Sequence, residues 1–383
     1  MIKIIADDNI PFLKGVFEPV AEVCYLQGAS IKRENLKDAD ALIVRTRTQC
    51  NADLLKNSPV QMVVTATIGT DHFDIPWMNK AGIKWANAPG CNSGSVYQYI
   101  ASALALLIIK ERMKPEKTTI GIVGVGMVGS KIEKLAHILG MKVLLNDPPR
   151  QRKEKKNKFC TLKTILHESD IVTFHTPLKM SGEDATFHLF NKNELQDLKP
   201  GAIIINSSRG EVTDSHALLK GLNTGIISRV VLDVWENEPE ISLELLNRVW
   251  IGTPHIAGYS ADGKANGTMM AVRAISRHFN LGMDNWQPVT VEVPDDTNIR
   301  IDFSGKTDVE IVAEAILRTC NILDDDVRLR ANPVQFEKQR GNYPLRREFE
   351  TWKVLQKTEM NNGDVSAGFI KAWNMLDILN FRV

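Results

Sequence analysis

The chain carries almost no net charge: 47 lysines and arginines stand against 46 aspartates and glutamates, a formal charge of +1. A nucleic acid or anionic membrane recognised by the whole surface is excluded, because that mode needs a broad excess of positive charge, so any anion must be met by a local site. Long apolar runs are also missing. The longest, Tyr99 to Ile109, is shorter than the ~20 residues that span a bilayer and reads as a buried helix. The amino terminus, MIKIIADDNIP, breaks into Ala6-Asp7-Asp8 before a secretory apolar core can form, which makes the cytoplasm the expected location. Cysteine is scarce: Cys24, Cys50, Cys91, Cys160 and Cys320 are scattered and never form CxxC, so reduced thiols are expected, with neither a disulfide framework nor structural zinc. His137, His167, His175 and His188 lack ligand spacing with carboxylates on a common helix, and no metal is expected. No fixed-period repeat is present.

What is present is an ordinary globular composition, 43% hydrophobic and 24% charged, far from the signature of disorder. At 383 residues the chain is long enough for two or three domains, at roughly 150 residues each. Apolar runs at Ile2–Ala6, Ala41–Val44 and Met62–Ala66 alternate with turn-rich or helical segments, the pattern of a parallel α/β layer. The polar Asn92-Ser93-Gly94-Ser95 precedes an apolar helix Val96–Ile109, with Ser93 or Ser95 as its expected N-cap and a domain crossing nearby. From Thr118 a second α/β series runs through strands at Ile171–His175, Ala202–Asn206, Val230–Val234 and Val249–Gly252. Helix is expected after His255 to about Leu281, then a junction at Trp286-Gln287-Pro288. Beyond it stand the alternating VTVEV, a helix Val309–Leu323 and an aromatic-rich end from Trp352 to Phe381. The expected boundaries are a substrate or lid domain at 1–95 and 263–287, a nucleotide domain at 96–262 and a small α+β domain at 288–383. The one biased tract, Arg150–Lys158, reads as a solvated basic loop.

Gly124-Val125-Gly126-Met127-Val128-Gly129 fits G-x-G-x-x-G, a weak pattern alone. Here it follows an apolar strand, opens an amphipathic helix and leads to a second strand ending at Asp147, which is the context of a dinucleotide site. Gly124 is expected to make the tight turn, Gly126 to let backbone approach a pyrophosphate, and Gly129 to pack helix on strand, with the helix N-terminus facing the phosphate charge. Asp147 is placed to accept from the adenosine ribose hydroxyls. An acid there repels a 2′-phosphate and favours NAD over NADP, although Arg150 and Arg152 follow closely.

Three islands sit at later strand ends: Asn206-Ser207-Ser208-Arg209-Gly210, Asp233-Val234-Trp235-Glu236-Asn237-Glu238-Pro239 and Pro254-His255-Ile256-Ala257-Gly258-Tyr259. Singly they read as a surface arginine, an acidic turn and a buried histidine. Together after a nucleotide fold they supply what oxidation of a 2-hydroxy acid needs. His255 is the base and in reverse the proton donor, Glu238 orients its ring, and Arg209 grips the carboxylate and polarises the reacting oxygen. NAD supplies the acceptor.

These islands, the glycine loop and Thr173-Phe174-His175-Thr176-Pro177-Leu178 resemble the D-isomer-specific 2-hydroxyacid dehydrogenases, in family order over roughly residues 40 to 280. The resemblance implies two doubly wound α/β domains flanking a cleft, the first completed by a late helix, with Arg209, Glu238 and His255 catalytic. It implies a cofactor lining of Gly124, Gly126, Met127, Val128, Gly129, Asp147, His175, Thr176, Ser207, Asp233 and Gly258. Within the family the chain is similar to a branch that oxidises 4-phospho-D-erythronate in pyridoxal 5′-phosphate synthesis. The features are Asp7-Asp8-Asn9-Ile10-Pro11, Thr65-Ala66-Thr67-Ile68-Gly69-Thr70-Asp71-His72, Ala88-Pro89-Gly90-Cys91-Asn92, Asn146-Asp147-Pro148-Pro149-Arg150 and a carboxyl-terminal Arg340-Gly341-Asn342-Tyr343-Pro344-Leu345-Arg346-Arg347-Glu348. That branch carries its last domain for dimerisation, so a homodimer is expected. A phosphorylated substrate needs a second anion site, which Arg45-Thr46-Arg47-Thr48 can furnish. By resemblance Thr46, where the family often has serine, and Thr67 contact substrate with Tyr259 beside it. Arg346 and Arg347 read first as a solvated pair, the other reading being a phosphate contact made across a dimer. Two other readings are open: a different specificity, such as phosphoglycerate or glyoxylate/hydroxypyruvate, and an NAD-sensing scaffold without turnover.

Overall fold

The computed structural model describes residues 1–155, 157–357 and 369–383. Lys156 of the basic tract and residues 358–368 of the aromatic-rich end lie outside them. The chain divides into two compact units, residues 1–93 with 260–292, and residues 94–259 with 293–383.

The first unit is built on a five-stranded parallel sheet of β1 (Ile2–Asp7), β2 (Ala21–Leu26), β3 (Ala41–Val44), β4 (Met62–Thr65) and β5 (Lys84–Ala86), in the order β2-β1-β3-β4-β5. The two central runs, Ala41–Val44 and Met62–Thr65, are buried throughout, as sheets covered on both faces require. One face is covered by the late helix Ala261–Phe279, whose Ala271, Val272 and Ile275 join Ile4, Ala6, Ile43 and Val64 in one core. The helix comes close because Gly267 has no side chain: a Cβ there would stand 2.4 Å from the Ala66 carbonyl oxygen. Thr268 ties it to the Pro11 carbonyl at 2.7 Å.

The second unit holds a six-stranded parallel sheet of β6 (Thr119–Val123), β7 (Lys142–Asn146), β8 (Ile171–Phe174), β9 (Ala202–Asn206), β10 (Ile227–Leu232) and β11 (Ile251–Gly252). Its order, β11-β10-β9-β8-β6-β7, reverses direction between β6 and β8, and in open α/β sheets ligands bind at the carboxyl ends of strands at such a switch. Helix Ser93–Lys110 is apolar and long enough by composition to cross a membrane, yet it lies in the protein core with Ile100, Leu104 and Leu107 against Ile120, Ile205 and Val231. Each such side chain contributes about 1.5–3 kcal/mol on burial. The helix begins at Ser93, so Ser95 is inside it rather than at its cap, and its hydroxyl instead donates to the Ala257 carbonyl at 2.7 Å.

Residues after 293 form a small α+β layer sharing that core. The alternating VTVEV is not a strand; β12 (Asn298–Ile301) pairs instead with β13 (Lys353–Gln356). The helix expected over Val309–Leu323 is two, Asp308–Thr319 and Ile322–Ala331, because the Asn321 side chain accepts from Leu323 N and starts a new one. The second of these helices covers the edge strand β11, an otherwise open pairing surface. Asp326 accepts from the Gly252 amide at 2.7 Å, and Arg330 donates to the carbonyls of Leu246 at 2.6 Å and Val249 at 3.0 Å.

Candidate active site

The glycine loop joins β6 to helix Met127–Leu139, with Gly124 at φ +87°, a conformation that favours glycine. A Cβ on Gly124 would lie 2.8 Å from the backbone of His175 and one on Gly129 2.1 Å from the Gly124 carbonyl oxygen, so both positions exclude a side chain. A Cβ on Gly126 would meet nothing within 4 Å, which leaves the backbone there open to a ligand at the helix N-terminus. Asp147 ends β7. Its carboxylate accepts from the amides of Val125 at 2.9 Å and Arg150 at 3.0 Å, closing the loop and capping helix Pro148–Glu154. Arg150 is turned to the Val125 carbonyl and to Glu154 at 2.6 Å, and Arg152 pairs with Glu183 and Asp184. Both cations of the NADP question are therefore engaged with acids.

Across the switch point His175 and Thr176 follow β8. The His175 ring bonds Thr173 Oγ1 through Nε2 at 2.9 Å, and burial pushes its pKa down to about 3, so it is neutral at physiological pH. Thr176 Oγ1 and Ser207 Oγ are buried with no hydrogen-bond partner, which is costly unless a ligand supplies one. The orphaned hydroxyls, the bare Gly126 backbone and the helix N-terminus fit the requirements of a dinucleotide.

Arg209, Glu238 and His255 follow β9, β10 and β11, three adjacent strands of the sheet. Gly210 lets the Arg209 loop lie against Trp235, since a Cβ there would stand 2.0 Å from the Trp235 carbonyl carbon. Arg209 Nη1 donates to the Ser208 carbonyl at 2.8 Å. Glu238 Oε2 stands 2.6 Å from His255 Nδ1, and its other oxygen accepts from Trp235 N at 2.9 Å. Burial pushes the Glu238 carboxyl up, but the positive field of His255, the hydrogen bond to it, the Trp235 amide and the Arg340 charge together hold it below its ordinary range. The acid is thus an anion beside an imidazole whose Nδ1 it occupies, leaving Nε2 to meet a substrate proton. The His255 side chain is 30% exposed and its backbone has φ +54°, a left-handed conformation that a non-glycine residue holds only when its surroundings enforce it.

Those surroundings join residues the motifs assigned to other roles with residues they did not single out, such as Tyr99 and Thr253. Asp233, expected to line the cofactor, is buried. Its carboxylate accepts from Thr253 Oγ1 at 2.6 Å and from the amides of Ile256 at 2.7 Å and Ala257 at 2.9 Å, so these contacts tie the His255 loop. Burial raises its pKa, opposed first by the charge of His255. Tyr99 bonds Thr253 Oγ1 at 2.8 Å, and Trp235 Nε1 reaches the Thr253 carbonyl at 2.9 Å. Tyr259 follows Gly258 in the same turn, with the Arg340 guanidinium 5.6 Å from its ring centre. Arg340 also lowers the Glu238 pKa. Tyr259 stands four residues after His255 on the chain, whereas Arg340 had no signal beyond belonging to a quoted motif.

In the first unit Arg45, Thr46 and Thr67 lie at the carboxyl ends of paired strands β3 and β4. Arg45 Nη1 donates to the Asn9 carbonyl at 3.2 Å, Thr46 is exposed, and Thr67 bonds Thr65 at 2.7 Å. Arg346 is the main departure from expectation. It is 5% exposed rather than solvated, because its hydrogen-bond partners come from parts of the fold distant in sequence.

The fold and this Arg–Glu–His set define an NAD-dependent dehydrogenase of 2-hydroxy acids. Residues 109–257 match the NAD-binding domain of the D-isomer-specific 2-hydroxyacid dehydrogenases, and residues 293–367 match a domain of unknown function. The NAD-bound D-lactate dehydrogenase of Aquifex aeolicus superposes with a TM-score of 0.62 at 23% identity, over 76% of this chain and 100% of that one. The NAD-bound 3-phosphoglycerate dehydrogenase of Entamoeba histolytica gives 0.63 at 23%, over 76% and 99%. The erythronate-4-phosphate dehydrogenase of Bacteroides thetaiotaomicron is 48% identical over 92% of this chain and 99% of its own, and that of Proteus mirabilis 42% over 92% and 95%. The chain belongs, within the D-2-hydroxyacid dehydrogenases, to the erythronate-4-phosphate dehydrogenase family.

Proposed function

We propose that the chain oxidises 4-phospho-D-erythronate at C2 to (R)-3-hydroxy-2-oxo-4-phosphobutanoate, a step toward pyridoxal 5′-phosphate, and that it does so in the cytoplasm as a homodimer. The observation that carries the chemistry is the His255–Glu238 contact of 2.6 Å, a base and its orienting anion. The substrate assignment rests on the relatives of that name. His255 Nε2 takes the C2 hydroxyl proton while Glu238 stabilises the imidazolium that results. Arg209 binds the carboxylate and steadies charge on the C2 oxygen as it becomes a carbonyl. Gly124, Gly126, Met127, Val128, Gly129, Asp147, His175, Thr176, Ser207, Asp233 and Gly258 would hold NAD, which would supply the hydride acceptor. Arg45, Thr46 and Thr67 are the donors proposed for a phosphorylated end, and the layer after residue 293 supplies the contact between protomers.

The test is a substrate panel. Purified protein with NAD is given 4-phospho-D-erythronate, D-3-phosphoglycerate and D-glycerate, each with and without a 2-oxo acid that could recycle nicotinamide in place. The four-carbon phosphate is expected to have the highest kcat/KM of the three, at least about a hundredfold above unphosphorylated D-glycerate, since a phosphate matched by a guanidinium contributes several kcal/mol. Preference for a rival would keep the mechanism and discard the substrate. An absence of turnover with all of them would revive the scaffold reading.

A further inference from the structure

A buried arginine normally has a carboxylate partner, because an uncompensated charge out of water is expensive. Arg346, 5% exposed, has no carboxylate at ion-pair distance among the described residues. Its Nη2 donates instead to the carbonyls of Ala257 at 2.6 Å and Ile256 at 3.2 Å and to Ser95 Oγ. Its Nη1 points to Tyr343 Oη at 3.4 Å and Cys320 Sγ at 3.7 Å. The nearest counter-charge in this network is Asp325, one hydroxyl away, which accepts from Tyr343 at 3.1 Å.

The two carbonyls belong to the residues after His255. The amides of those same residues, Ile256 and Ala257, are held by Asp233 at 2.7 and 2.9 Å. The segment is therefore gripped on its donor side by a buried anion and on its acceptor side by a buried cation. Between them stands a histidine at φ +54°. Such a backbone relaxes when its ties are cut, and a displacement of about 1 Å at a proton-transferring group costs as much as a hundredfold in rate.

We propose that Arg346 is a positioning residue for His255, through which the carboxyl-terminal layer sets the geometry of proton transfer. The inference rests on His255 as the proton acceptor. It explains why a cation is retained in the core where an apolar side chain would fill the space at lower cost. Ser95 belongs to the same device, since its hydroxyl bonds both Arg346 and the Ala257 carbonyl.

The test is a double-mutant cycle of Arg346→Met and His255→Ala, with kcat expressed per NAD-binding site so that misfolded protein does not count. It is read on whichever hydroxy acid the enzyme turns over best, so an error in the substrate assignment leaves it intact. Arg346→Met alone is expected to lower kcat by about ten- to a hundredfold with KM and NAD affinity within about threefold, and to have under about a threefold effect in the His255→Ala background. Arg346→Lys, which keeps the charge but fewer donors, recovers part of the loss. Should Arg346→Met fail to fold, Arg346→Lys and Ser95→Ala enter the same cycle, each expected to lose about three- to tenfold only when His255 is present. An unchanged kcat per NAD site in the foldable variants, or an equal loss with and without His255, overturns the proposal and leaves Arg346 a stabilising residue alone.

Discussion

Replacing Glu238 by Gln keeps the volume and removes the charge. In the structure one carboxylate oxygen accepts from Trp235 N at 2.9 Å and the other faces His255 Nδ1 at 2.6 Å. An amide can serve only one of these. With its oxygen kept on Trp235, its NH2 meets Nδ1, which must then be unprotonated, and the proton moves to Nε2, where it blocks the base. Flipped, the NH2 opposes the Trp235 amide. The lost charge-assisted bond is about 1.5–3 kcal/mol, or about ten- to a hundredfold in rate at 1.4 kcal/mol per decade. The wrong tautomer adds to it, so Glu238→Gln is expected to lower kcat by about a hundredfold or more, with NAD affinity nearly unchanged. Glu238→Ala, which lets the ring choose its tautomer, should lose no more than the Gln variant. The assay is initial-rate NADH formation at saturating substrate, with NAD titrated by fluorescence in parallel. A Gln variant within about threefold of the parent would refute the pairing argument. Because the Glu238 carboxyl is held below its ordinary range, its contribution is complete above the usual glutamate value and fades only as pH falls through that lower folded value.

Arg45→Ala is expected to raise KM about tenfold for a phosphorylated hydroxy acid and to change an unphosphorylated one little; equal losses would remove Arg45 from phosphate binding. His175, with its pKa lowered to about 3 by burial, makes the unfolded chain bind a proton that the fold refuses, so stability falls as pH drops from the ordinary histidine value near 6.5 toward 3. His175→Asn should flatten the loss of urea midpoint between neutral pH and pH 5, where this ring costs up to about 2 kcal/mol; a slope identical to the parent's would show that the ring titrates normally. Gly129→Ala drives a Cβ to 2.1 Å from the Gly124 carbonyl oxygen and should weaken NAD binding at least about tenfold by deforming the loop, whereas unchanged affinity would show the loop can yield.

Much of this was written locally. Ala202–Asn206 and Ala41–Val44 read as strands because unbroken branched apolar runs have polar turns after them, and the strands have the expected bounds. The candidate trio Arg209, Glu238 and His255 was visible because each member follows its own strand, and parallel topology carries such ends to one side of the sheet. The strand Ala21–Leu26 lies at a sheet edge, partly exposed and holding Glu22 and Cys24, while Lys84–Ala86 is three residues long; neither has an apolar run to announce it. The braces of the His255 loop were illegible for a different reason. Tyr99 and Ser95 come from one helix and Arg346 from the far end of the chain, and no local pattern separates a buried arginine from a solvated one.

The most direct test of the account compares the parent enzyme with His255→Ala, measuring NADH formed from 4-phospho-D-erythronate and NAD binding in the same preparations. The variant is expected to bind NAD within about threefold of the parent and to turn over at least about a thousandfold more slowly, because the base is gone and the nucleotide site is intact. Turnover near the parent's would contradict it, for the proton would then leave by a route that does not pass through His255.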